Sequence, residues 1–103
     1  MTFELHIRTP EEIAAEKAEA RAARLKAECR ARIEARLDDK TAQNLLAARL
    51  RSALSADQLA AFDAAEDWKL ATIAECRRAI AEGDDPVWPE WPGGAADDLV
   101  AAF

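Results

Sequence analysis

A chain of 103 residues has room for one small domain. Half of it is hydrophobic, but 26 residues are alanine, which favours helix and buries little surface, so a large self-sufficient core is not expected. The net charge of −6 divides into +2 over residues 1–54 and −8 over 55–103, which disfavours binding of DNA or anionic membranes through the second half.

No run of about 18 apolar residues suggests a transmembrane helix. The N-terminus lacks the apolar core of a signal peptide. Cys29 and Cys76 lie far apart with no Cys-x-x-Cys spacing, so a disulfide framework is not expected and a cytosolic origin is favoured. Both read as small apolar fillers on helix faces.

Phe3, Leu5 and Ile7 alternate with Glu4, His6 and Arg8. This period of two predicts an extended N-terminal arm over residues 1–9, which either packs on its own helices or adds to a partner as a strand. Thr9-Pro10-Glu11-Glu12 is a helix start, with Thr9 as N-cap, Pro10 at the first position and Glu12 closing a capping box. A helix is predicted over about 10–37. Ala15, Ala18, Ala22, Leu25, Cys29 and Ile33 form a narrow seam along it, suited to a hairpin or a short coiled coil. The bases Lys17, Arg21, Arg24, Lys26, Arg30, Arg32 and Arg36 alternate along the sequence with Glu16, Glu19, Glu28 and Glu34, and no aromatic residue accompanies them. They read better as a solvated face than as a nucleic-acid contact.

Asp38-Asp39-Lys40-Thr41 ends or kinks this helix, and with no glycine or proline there one long bent helix remains an alternative. The second helix is predicted over 41–54, with Ala42, Leu45, Leu46, Leu50, Ala53 and Leu54 on one apolar face. Ser55 and Gln58 form a second capping box, opening a third helix over 56–82. Its expected inner face is Leu59, Phe62, Leu70, Ile73, Cys76 and Ile80. Trp68 is expected roughly opposite, beside Ala61, Ala64 and Ala71, where the C-terminal ribbon or another chain would cover it.

Gly83 fits a helix C-cap, and Asp84-Asp85-Pro86 makes a turn. Residues 83–103 then form a Trp/Pro-rich tail. Val87-Trp88-Pro89-Glu90-Trp91-Pro92 should be a stiff, extended ribbon, because each tryptophan precedes a proline. Gly93-Gly94 is a hinge, and Ala95–Phe103 is suited to a short docking helix with Leu99 and Phe103 one turn apart. The fold class is therefore mainly α: a helical hairpin or three-helix arrangement with an N-terminal arm and a Trp-Pro tail.

Two short segments resemble a known family. Trp68 on a helix, then Glu75-Cys76-Arg77-Arg78-Ala79-Ile80, an acidic turn and Pro86-Val87-Trp88-Pro89 are similar to the C-terminal part of tail assembly chaperone-like, or tail fibre assembly, proteins of tailed phages and prophages. Ile7-Arg8-Thr9-Pro10-Glu11-Glu12-Ile13-Ala14-Ala15-Glu16 resembles the start of such small phage proteins. Cys76 stands where those proteins commonly carry tyrosine before the arginine. The resemblance implies a non-enzymatic protein acting in tail or fibre assembly in the host cytoplasm, or retained in the virion.

The partner-binding residues expected on this reading are Phe3, Leu5, Ile7, Trp68, Trp88, Trp91 and Phe103, with other tail proteins or copies of the chain as partners. The alternative is a nucleic-acid-binding accessory protein using the basic face of the first helix, without a helix-turn-helix or zinc pattern to support it. His6 is the only histidine, and no paired carboxylate site or glycine-rich phosphate loop is evident, so no catalytic, cofactor or metal site is expected.

Overall fold

The structure, a computed structural model, describes residues 7–103. Among them it is built from helices alone: α1 Pro10–Arg36, α2 Asp39–Leu50, α3 Ala56–Glu82 and α4 Ala95–Ala102. Of the predicted N-terminal arm, Phe3 and Leu5 lie outside the described residues.

The helix boundaries follow local chemistry. Thr9 accepts the Glu12 N–H at 3.1 Å, and Pro10 takes the first position of α1. The chain breaks after Arg36, where Leu37 leaves helical geometry and the Asp38 side chain accepts the Thr41 N–H at 2.7 Å. The first two helices are therefore separate, and Asp38 caps the second. Ser55 and Gln58 form the reciprocal capping box of α3, at 3.2 and 3.0 Å. Gly83 ends α3 in the left-handed region at φ 75°, where a side chain would be strained.

The second helix is shorter than predicted. It stops at Leu50, and Ser52 turns the chain at φ 54°. The expected face splits as a result. Leu45 is buried and Ala42 and Leu54 are half-buried, but Leu46, Leu50 and Ala53 are exposed.

α1 and α3 run antiparallel, with Arg21 beside Ala79 and Cys29 beside Thr72. Leu25, Cys29, Cys76 and Ala79 form one core cluster, flanked by Ile33, Ile73, Ile80 and Trp88. At the closed end Leu37, Leu45, Ala61 and Leu99 join α1, α2, α3 and α4 in a second cluster. The two thiols are free, and burial followed by the neighbouring Cys76 raises the pKa of Cys29.

The inner face of α3 is rotated from the expected one. Its buried row is Ala61, Ala65, Trp68, Thr72, Cys76 and Ala79, whereas Leu70 is 62% exposed. Small residues win the centre because they let the helix axes approach. The larger Leu59, Phe62, Ile73 and Ile80 are half-buried along its flank.

α1 outruns its partner. Every residue from Pro10 to Ala20 is exposed, about three turns of helix. Coverage begins at Arg21, whose guanidinium donates to the carbonyls of Ala79 and Asp84 and so closes the C-terminus of α3. The molecule measures 71 × 31 × 18 Å, with a radius of gyration of 19.9 Å. A compact chain of this length would have about 13 Å.

Candidate interaction site

After Gly83 the chain folds back along α1 and α3, and Arg78 anchors the turn. Its guanidinium binds Glu75 at 2.6 Å, Glu82 at 2.6 Å and Asp84 at 2.8 Å. These carboxylates hold the guanidinium still more firmly protonated, and the Arg78 contact lowers the pKa of Glu75. The Val87 backbone N–H close by lowers the pKa of Glu75 further, which places the ribbon beside this carboxylate of α3.

The three tryptophans then meet. Trp68, only 7% exposed, donates its indole N–H to the Pro89 carbonyl at 3.1 Å. The Trp91 ring stands edge-on to it, with centroids 4.9 Å apart and planes at 86°, a favoured aromatic geometry. Trp91 donates to Asp97 at 2.6 Å, tying the ribbon to the first turn of α4. Trp88 donates to Glu28 on α1 at 3.1 Å. Arg32 binds the same carboxylate at 3.3 Å and lies 5.1 Å from the centre of the Trp88 ring, within cation–π range.

Between α1 and the ribbon these groups leave an open cleft of about 520 Å³. Arg32, Ala35 and Arg36 form one wall and Trp88, Pro89, Glu90 and Trp91 the other, with Trp68 also lining it. All three indole N–H groups are used internally, so what the indoles have left to offer is ring surface. Among the described residues no group of three or more His, Cys, Asp or Glu side chains could hold a metal ion. Nor is any described helix long and apolar enough to cross a membrane.

The expected contact residues therefore separate. Trp88 and Trp91 stand together as half-buried walls of the cleft. Trp68, expected opposite the inner face of α3, lies in its buried row, and the ribbon is the cover it takes, through Pro89 and Trp91. Ile7 is 76% exposed. Phe103 lies beyond α4, where its carbonyl accepts from Asn44 at 3.4 Å. Arg32 and Arg36 were not expected at this site. The Glu28–Arg32 pair was legible from its spacing, but its place beside Trp88 depends on the chain reversal at Gly83.

The chain matches no protein-family model, no curated protein and no solved structure.

Proposed function

We propose that this chain is a non-enzymatic interaction protein of a tailed phage or prophage, acting in tail or tail-fibre assembly or kept in the particle as a small component. The observation that carries the reading is the apolar surface the chain leaves uncovered. Ile13, Leu46, Leu50, Leu70 and Val87 are exposed large hydrophobic residues in a chain with few to spare. The bare first turns of α1 add a helical surface suited to docking. The two sequence segments similar to tail assembly proteins supply the biological setting.

Partners on this reading are tail or fibre proteins, or further copies of the chain. Deleting the gene in a producing phage and imaging the particles tests it. The expected result is particles with missing or incomplete tails or fibres; normal, fully infective particles would contradict it. Mass spectrometry of wild-type particles separates the two forms of the proposal, since a retained component is found in them and an assembly factor is not.

A further inference from the structure

Of the acidic residues that alternate with the bases of α1 in sequence, Glu19 and Glu34 fall on a different side from most of those bases, while Glu28 stays paired with Arg32. At 100° per residue, positions 17, 21, 24, 28, 32 and 35 fall in one row. That row faces the ribbon: Arg21 reaches Asp84, Glu28 accepts from Trp88, Arg32 lies over Trp88, and Ala35 lines the cleft beside Arg36. From Lys17 to Arg36, this side carries Lys17, Arg21, Arg24, Arg32 and Arg36, with Glu28 as the one carboxylate of α1 among them. Glu19 and Glu34 turn to the far side, with Lys26 and Arg30. The fold also brings to the basic row the aromatic rings that the sequence of α1 lacks.

We propose that this edge binds single-stranded nucleic acid, with a base entering the tryptophan cleft and the backbone phosphates running along α1. The cleft has the two parts such a ligand needs. The Trp91 ring gives a base something flat to stack on, next to the Trp88 ring that Arg32 covers, and Arg32 and Arg36 place positive charge beside it. Lys17, Arg24 and Arg36 are exposed and meet no carboxylate among the described residues. From Lys17 to Arg36 the edge runs about 28 Å, enough for a few nucleotides. The row favours a phosphate backbone although the whole chain carries −6, because the acidic turn beside it is already partly engaged: Arg78 holds the Asp84 carboxylate. Glu28, within the row, and Glu90, on the ribbon wall, oppose the ligand.

The test titrates the full chain into short fluorescein-labelled oligothymidylate and oligouridylate, reading anisotropy together with quenching of the tryptophan fluorescence. Saturable binding with quenching is expected, weakening about tenfold or more between 50 and 200 mM salt as about three phosphate contacts are lost. Arg24→Ala with Arg36→Ala should weaken it several-fold without changing the circular dichroism, because neither side chain meets a carboxylate among the described residues. Glu90→Gln should strengthen it. Preference for one oligomer would identify the natural strand as DNA or RNA. No anisotropy change at about 100 µM protein in low salt would overturn the proposal. So would binding without quenching, or binding unaltered in the double arginine variant. The titration does not depend on the phage reading, and either can fail alone.

Discussion

Trp68 and Pro89, separated by 21 positions in the chain, are joined by a hydrogen bond of 3.1 Å from indole to carbonyl. That bond seats the ribbon on α3 and puts Trp91 against the Trp68 ring. Trp68→Phe would keep most of the packing and lose the donor. A loss of about 1 kcal/mol is expected, read as a lower melting temperature. An unchanged melting temperature would mean that the bond contributes nothing to the fold.

Trp88→Ala with Trp91→Ala asks whom the ribbon serves. Both rings pack within the chain, so the isolated protein should melt several degrees lower. A melting temperature equal to the parent's would assign the ribbon to a partner alone.

The helices were largely legible in the sequence because their signals are local. Thr9-Pro10, Ser55 with Gln58, and Gly83 each act within one turn, and each appears where expected. The face of α3 was less legible because the rule that large residues point inward fails in an alanine-rich pair. Close approach of α1 favoured Ala65, Thr72 and Ala79 over Leu70, and the rotation took Trp68 inward. The end of α2 at Leu50 carried no glycine to announce it, since Ser52 adopts the left-handed turn. The cleft could not be read at all, because it exists only once residues 86–92 fold back on α1.

The Arg78 cluster predicts sensitivity to acid. The folded-state pKa of Glu75 lies below its ordinary value of 4.5, chiefly through the Arg78 hydrogen bond, and that of Asp38 is lowered by the Thr41 N–H. Their contribution to stability is complete above the unfolded-state values and is lost as pH falls through the folded ones. Tryptophan fluorescence should therefore be flat from neutral pH down to about 5 and change below it. Arg78→Met should release the ribbon already at neutral pH. A transition centred above pH 5 would contradict this assignment.

Leucines on the two sides of α2 should behave differently. Leu45, 1% exposed, joins the closed-end cluster, and Leu45→Ala should cost about 2–5 kcal/mol. Leu46 and Leu50 are 51% and 77% exposed, and their replacement by serine should stay within about 0.5 kcal/mol. Urea unfolding curves separate the cases. A large loss at Leu50 would show that it is covered in the free protein.

Self-association is expected through the bare turns of α1, where Ala15 and Ala18 continue the seam that Leu25 and Cys29 bury further along. Sedimentation should show association that rises with concentration and disappears when both alanines are replaced by glutamate. A strict monomer at high concentration would remove this interface.

On the proposed function, the surfaces this chain leaves bare are covered by another protein during phage assembly. Photocrosslinking from residues introduced at Ile13 and at Leu50 in producing cells tests it most directly. Crosslinks to a tail or fibre protein, or to a second copy held in a complex with one, are the expected result. Unreacted monomer at both positions, in cells that release complete particles, would contradict it.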